Sequence, residues 1–443
     1  MFLVLSIFMC APTVAFADNP NGDDARLTLA RSFITAFNAS DAAGLQTLVG
    51  DSDQVAAILK ERHEIGELQL KGILDAGPRQ TTILTTGAGG ATYRVVLWYV
   101  PQSAALLGRV EFVAALAPPN ISGQISQDAF VKQLQPYVRG AAARGFFSGQ
   151  VLVAKNGVPI FDQAYGMASI EYGVANSTQT LFNIGSIGKL FTKVAIGQLM
   201  QQGTLSASDT IGKWLPDYPN AAAKAATIQQ LVDMTSGIGD IFTPKFDQTP
   251  PGNFRSLEDY LPAFAGDPLL FAPGTGNQYS NGGYLVLGLV IQKASGENYY
   301  DYMSKHIFAT AGMTSTGYPF ADDVMRGRAT GYSRPGPDEP QRMTTFMEPA
   351  RGSSAGGAFS TADDMLRFAV ALQSGKLLDQ TYTKWALPSD HSFGVAGGTP
   401  GWNALLDMEI DRNYTVVVLA NIDPPAAEDM GVDIVRWTRH ISP

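Results

Sequence analysis

Four side chains in this 443-residue sequence are of types that could share one reaction: Ser186, Lys189, Tyr279 and Asn281. Ser186 and Lys189 stand at i and i+3 within Phe182-Asn183-Ile184-Gly185-Ser186-Ile187-Gly188-Lys189. On a helix that spacing puts both on one face, where the amine can reach the hydroxyl. An alcohol needs a neighbouring base to become a nucleophile, and a serine at a helix N-terminus also has a free N–H and a favourable dipole for an oxyanion. Behind the pair, Leu190, Phe191, Val194, Ala195, Ile196, Leu199 and Met200 are apolar nearly all the way round. Such a helix is buried, and a lysine on it is costly unless it is used or paired.

Two further stretches could complete the chemistry. In Gln278-Tyr279-Ser280-Asn281-Gly282-Gly283-Tyr284, introduced by Phe271-Ala272-Pro273-Gly274, proline and glycine place Tyr279 on a turn ahead of an apolar helix over 284–292. A phenol beside an ammonium has its anionic form favoured and becomes a proton acceptor, while Asn281 could hydrogen-bond both the lysine and a substrate amide. In Val395-Ala396-Gly397-Gly398-Thr399-Pro400-Gly401-Trp402-Asn403, glycines at a sheet edge let a substrate approach the main chain, so that a backbone N–H can face a developing oxyanion. Each stretch alone has a plain structural reading as a short helix, a packing aromatic or a glycine-rich turn.

The elements that must position these groups follow from periodicity. Asn156-Gly157 between the apolar runs 149–155 and 158–165 predicts a hairpin, and strands at 403–409 and 414–420, around an Asp411-Arg412-Asn413 turn, resume the antiparallel sheet late in the chain. Helices are expected from Phe130 to Ala141 and over 426–440, with more helices and loops between the two strand blocks. Nearer the N-terminus, helical spacing over 25–38, a second short helix capped at Ser40-Asp41 and a third over 54–64 give way to strand-like runs at 68–74, 81–86, 93–100 and 106–114. Helices followed by a meander predict a small α+β domain, which resembles in pattern a truncated nuclear-transport-factor-like cone fold. His63 and Glu64 read there as a solvated face. Ala117-Pro118-Pro119-Asn120 is the expected linker, since Pro-Pro continues neither a helix nor a central strand.

Taken together and in this order, the three motif stretches resemble the serine hydrolases of the penicillin-binding-protein and class C β-lactamase group, which carry Ser-x-x-Lys, then Tyr-x-Asn, then a Lys- or His-x-Gly strand. The runs 149–157, Leu231 to Ile238 and Ser354 to Met365 resemble the group in the same register, so that the similarity covers roughly Gly149 to Asn421. The resemblance implies a β-lactamase-like α/β (α+β) fold, with an antiparallel sheet flanked by helices and an all-helical lobe. It implies Ser186 as the acylated nucleophile, Lys189 and Tyr279 sharing proton transfer, Asn281 positioning substrate and lysine, and an oxyanion hole at the N–H groups of Ser186 and of Gly398, which follows the motif glycine Gly397. The sequence departs from the pattern at Val395, where the group has a cation or histidine beside the substrate carboxylate, and at Asp233-Met234, where it has Thr-His. His391 lies four residues early. Arg351 or Arg412 would have to fold beside Val395 to replace the missing charge.

Composition bounds the remainder. The net charge of −9 and the lack of a clustered Lys/Arg tract exclude a nucleic-acid partner of the usual basic kind. With 45% apolar and 16% charged residues the chain is globular, and its length predicts two domains. Residues 1–17 are almost wholly apolar and end in Ala15-Phe16-Ala17, which predicts a signal peptide cleaved before Asp18, too short to span a bilayer. It lacks a basic n-region, which leaves the true start open. The one cysteine, Cys10, falls inside it, so the mature chain is expected to have no thiol or disulfide. The four histidines have no metal-ligand spacing, and neither a metal nor another cofactor is expected. Tyr165, Tyr284 and Trp402 are expected to pack in the core or at the rim of a pocket.

The expected organisation is a leader at 1–17, a small α+β domain at 18–117, a linker at 118–123 and a β-lactamase-like domain at 124–443. The expected function is that of a periplasmic or secreted serine hydrolase working through an acyl-enzyme on small esters. The alternatives are a D-amino-acid peptidase or β-lactamase acting on cell-wall-like amides, and a catalytically silent binding protein of the same shape.

Overall fold

The computed structural model describes residues 24–442 apart from 77–79, 88–89, 101–102, 117, 119–122 and 335–338. The expected leader and, save Pro118 and Gly123, the expected linker lie outside these residues. The chain forms two compact units that divide between residues 120 and 121.

In the first unit, three helices, Asp24–Asn38, Ala42–Val49 and Ser52–Ile65, precede an antiparallel meander of four strands, Gln69–Ala76, Gln80–Thr86, Thr92–Val100 and Ser103–Ala115. Asp41 and Asp51 start the second and third helices because each carboxylate accepts hydrogen bonds from otherwise unsatisfied N–H groups of the first turn. The inward faces bury Phe33, Phe37, Leu45, Ile58, Ile83, Val95 and Leu97 in one core. His63 and Glu64 are exposed, as their positions in the helical pattern require.

The second unit is built on a five-stranded antiparallel sheet with the order Ser392–Thr399, Trp402–Glu409, Tyr414–Ala420, Gly149–Lys155, Val158–Tyr165. The Asn156-Gly157 turn has both residues at positive φ, as a tight hairpin requires. The late strand Tyr414–Ala420 pairs with the early Gly149–Lys155 in continuous register, which closes the domain around everything between them. That interval holds the serine-bearing helix Gly188–Gln201, the helix Asn281–Ser295 and a set of shorter helices, which make the helical lobe. The last helix, Ala426–Thr438, stops two residues short of the expected end.

Alternation along Trp402–Glu409 separates the two faces of the sheet. Trp402, Ala404, Leu406 and Met408 enter the large core shared with the serine helix. On the opposite face, Asn403 accepts hydrogen bonds from the N–H groups of Ala427 and Glu428, and Thr438 and Arg439 bind Glu409. Asp407 lies on that same face, fully buried, with Oδ1 lacking a hydrogen-bond partner. Burial, reinforced by the neighbouring Glu409 carboxyl, pushes its pKa up to about 7.

Because the folded state holds this proton more tightly than the unfolded chain does, the stability tied to this group is present below about pH 4, declines as pH rises through about 7 and is gone above that. Asp407→Asn is therefore expected to be more stable than the parent at pH 8, by roughly 2–4 kcal/mol, with the gap closing toward pH 4. Thermal unfolding of both proteins at several pH values checks this. A constant difference across the range, or a less stable variant at pH 8, contradicts it.

Candidate active site

The residues around Ser186 are held by main-chain pairing from both sides. Phe182–Asn183 pairs antiparallel with Phe359–Ser360, Ile184 N donates to Ala358 O at 2.9 Å, and Gly357 N donates to Gly185 O at 3.2 Å. Asn183 Oδ1 accepts from Gly185 N at 2.9 Å. Gly185 takes φ +51°, and Gly185–Ile187 forms a single 3-10 turn, so the α-helix begins at Gly188 rather than at the serine. The i, i+3 relation survives this change, because Lys189 Nζ donates to Ser186 Oγ at 3.0 Å. Phe191 meets Phe308 and Phe368 edge to face and fixes the helix in the core.

Tyr279 and Asn281 come from the turn that starts the helix Asn281–Ser295. Ser280 caps that helix by accepting from Gly283 N at 2.7 Å, and its hydroxyl donates to Gly239 O at 2.9 Å. The same turn is gripped by Met234, whose carbonyl accepts from Gln278 N and whose sulfur accepts from Ser280 N. Met234, which replaces the histidine of the usual pattern, thus serves as part of the cradle. Tyr279 Oη lies 2.6 Å from Ser186 Oγ.

Lys189 is buried, and its ammonium has good acceptors: besides Ser186, Asn281 Oδ1 at 2.7 Å and Ala355 O at 2.5 Å. Its nitrogen also stands 4.8 Å from the ring centroid of Tyr279 and 5.7 Å from that of Tyr284, which adds cation–π attraction. The serine hydroxyl therefore sits between an amine and a phenol, each within proton-transfer distance. Ser186 itself is half-buried, so the residue is not sealed in the core.

Gly397 and Gly398 lie on the edge strand of the sheet and pack directly on the Ser186 turn. An ideal Cβ at Gly397 would stand 2.7 Å from Ser186 N, and one at Gly185 would stand 2.7 Å from Gly398 N. Glycines on both sides bring the two backbones this close, and the N–H groups expected to hold an oxyanion are neighbours for that reason. Asn403 Nδ2 donates to Gly397 O at 3.0 Å and steadies the strand from behind.

All six residues expected from the sequence thus meet in one place. Position 395 is different. Val395 pairs with Leu406 and packs partly against the core, and neither arginine considered for the missing charge is available to it. Arg351 donates to Tyr318 O at 2.8 Å and stacks 3.5 Å from the Tyr300 ring centroid, while Arg412 donates to Ile441 O at 2.7 Å. His391 is exposed and bonds Asp411. Trp402 is fully buried, donating to Glu348 Oε1 at 2.8 Å, and Tyr284 donates to Val232 O at 3.3 Å, so both belong to the packing. Among the described residues no group of acidic, histidine or cysteine side chains is arranged to hold a metal.

Two participants went unread in the sequence. Ala355 O could not have been found, since a backbone carbonyl carries no residue signature. Asp240, whose carboxylate accepts from Asn281 Nδ2 at 3.0 and 2.9 Å, lies three residues beyond the Thr235-Ser236-Gly237 motif, and no local pattern marks it.

Comparison with known proteins agrees with this geometry. Residues 130–392 match the Beta-lactamase family. The chain is 30% identical over 290 residues to the putative penicillin-binding protein PbpX of Bacillus subtilis, covering 62% of this chain and 71% of that protein. The crystal structure of a penicillin-binding protein from Bacillus halodurans superposes with a TM-score of 0.60 at 28% identity, over 71% of this chain and 99% of that one. EstCE1, described as a hydrolase with promiscuous acyltransferase activity, shares the fold with a TM-score of 0.59 at 19% identity, over 70% of this chain and 99% of that one. A serine between a lysine and a tyrosine on this fold, matched over most of the catalytic unit, makes the chain a member of the beta-lactamase family and a serine hydrolase of the penicillin-binding-protein group.

Proposed function

We propose that the protein hydrolyses small acyl esters through an acyl-enzyme on Ser186. Ser186 Oγ attacks the ester carbonyl while its proton passes to the Tyr279–Lys189 pair, 2.6 and 3.0 Å away. The N–H groups of Ser186 and Gly398 receive the oxyanion. Collapse of the tetrahedral intermediate expels the alcohol, which takes the proton, and water then attacks the acyl carbonyl with the same pair as base. Asn281 holds Lys189 in place throughout.

The observation that carries the ester reading is the apolar Val395, with Arg351 and Arg412 both engaged elsewhere. β-Lactams and carboxypeptidase substrates present a carboxylate at that position in the family pattern, and an apolar side chain offers it neither charge nor hydrogen bond. An ester without a carboxylate loses nothing there. An alcohol or phenol is also a better leaving group than an amine, so less proton delivery is needed.

Purified protein is expected to turn over p-nitrophenyl acetate and butyrate and to leave nitrocefin and labelled penicillin essentially untouched. Rapid nitrocefin hydrolysis favours the peptidase or β-lactamase reading. Failure of a fluorophosphonate probe to label Ser186 favours a silent binding protein. The apolar run 1–17 ending in Ala15-Phe16-Ala17 supports a site of action outside the cytoplasm, and an exported protein is expected to begin at Asp18 on N-terminal sequencing. Retention of the whole leader on cytoplasmic protein contradicts that placement.

A further inference from the structure

The hydrogen bonds of Asn281 connect the site to a carboxylate that the proposed mechanism does not use. Asn281 Oδ1 accepts from Lys189 Nζ at 2.7 Å, and Asn281 Nδ2 donates to both oxygens of Asp240, at 3.0 and 2.9 Å. A side-chain amide can turn over at little intrinsic cost, exchanging its oxygen and nitrogen. Here the turned form would set an NH₂ group against an ammonium and a carbonyl oxygen against a carboxylate. Two opposite charges therefore select one orientation of the amide.

Asp240 is itself held to the same helix start. Its Oδ1 accepts from Phe242 N at 3.1 Å, the preceding Gly239 O accepts from Ser280 Oγ, and an ideal Cβ at Gly282 would stand 2.6 Å from Gly239 O. The loop and the first turn of the Asn281–Ser295 helix are thus tied together by hydrogen bonds and close packing. The carboxylate also lies by the N-terminal end of that helix, where negative charge is favoured. Asp240 is half-buried and lines a cavity of about 170 Å³ with Gly239, Asn220 and Thr243. A change of side chain there meets open space as well as protein.

We propose that Asp240 is a positioning residue for Lys189, acting through Asn281: its carboxylate fixes the amide that aims the amine at Ser186 and contributes negative charge two hydrogen bonds from that amine. The proposal rests on the hydrolase reading of the site but is independent of which acyl group is cleaved. Titratable and charged groups facing Lys189 are Tyr279 from the turn, Tyr284 on the Asn281–Ser295 helix and, through Asn281, Asp240, while Lys193, one turn along the same helix, sets its ammonium over the Trp385 ring. Tyr318 Oη approaches the adjacent Gly188. The proton lost on activation belongs to the Lys189–Tyr279 pair jointly, and a nearby negative charge opposes that loss.

Two substitutions separate orientation from charge. Asp240→Asn keeps an oxygen acceptor for Asn281 and removes the charge. It is expected to lower the plateau kcat two- to fivefold and to move the acid limb of the pH–rate profile to lower pH by about half a unit to one unit. Asp240→Ala removes both and is expected to lower the plateau about 10- to 50-fold with a similar shift of the limb and KM within about twofold. The readouts are p-nitrophenyl butyrate turnover and, in parallel, the pH dependence of the rate at which a fluorophosphonate labels Ser186.

Labelling needs no ester turnover, so a protein that is labelled but inert to esters refutes the ester reading while still testing Asp240. If both variants keep the parent kcat and an unmoved acid limb, or if activity follows only a lower melting temperature with no shift of the limb, Asp240 is structural and the proposal is wrong. The isosteric Asp240→Asn decides the matter even if Asp240→Ala fails to fold.

Discussion

Ser186→Ala is expected to reduce kcat/KM for p-nitrophenyl butyrate at least about a thousandfold, because the acyl-enzyme route ends with the loss of Oγ and only binding and oxyanion stabilisation remain. The fold should tolerate the change. Ser186 is half-buried, Lys189 keeps its bonds to Asn281 and Ala355, and the main-chain pairing that holds the turn does not involve the hydroxyl. A melting temperature near that of the parent, together with the lost turnover, separates chemistry from folding. Equal rates for the two proteins would end the claim that Ser186 is the nucleophile.

The second large effect is expected at a residue with no side chain. Gly185→Ala places a methyl group 2.7 Å from Gly398 N and 2.9 Å from the Gly397 carbonyl carbon, at a φ of +51° that alanine disfavours. The conformation alone costs about 1–2 kcal/mol. The clash falls on backbone atoms, which cannot swing aside as a flexible side-chain tip would. The edge strand must therefore move away from the Ser186 turn, and the two proposed oxyanion donors separate.

Losing one such donor costs about 2.7–4 kcal/mol of barrier, so kcat is expected to drop roughly a hundred- to a thousandfold, with a smaller change in KM and a lower melting temperature. Gly140→Ala is the matched control. It lies inside the helix Gln127–Ala143 at ordinary φ with nothing within 4 Å of the added methyl, and should leave activity unchanged. Turnover by Gly185→Ala within twofold of the parent would show that the close approach does not serve catalysis.

How far the molecule could be read in advance depends on the distance over which each feature is set. The first three helices and the meander were legible within a few residues, because capping, helical spacing and strand alternation are local. The Asn156-Gly157 hairpin was legible for the same reason. Ser186 was expected on an α-helix and sits on a 3-10 turn, since glycine at 185 takes positive φ to meet the edge strand. Asp240 was not read at all: its partner is 41 residues away and nothing local marks an aspartate as the orienter of an amide. The acceptor Ala355 O is 166 residues from Lys189 and has no side-chain signature.

By itself, the order of amino acids determined which groups are present for chemistry, which short segments curl or extend, and that a nucleophile and an amine three residues apart would face the same way. It also determined that position 395 is apolar. Only the tertiary structure decided whether a distant arginine would make good that charge, and it did not, because Arg351 is stacked on Tyr300 and Arg412 is tied to Ile441 O. It likewise decided that a phenol 93 residues from Ser186 stands 2.6 Å from its oxygen. Local preferences act over a turn or two of chain, whereas these outcomes depend on how a whole sheet and helical lobe pack around a shared core.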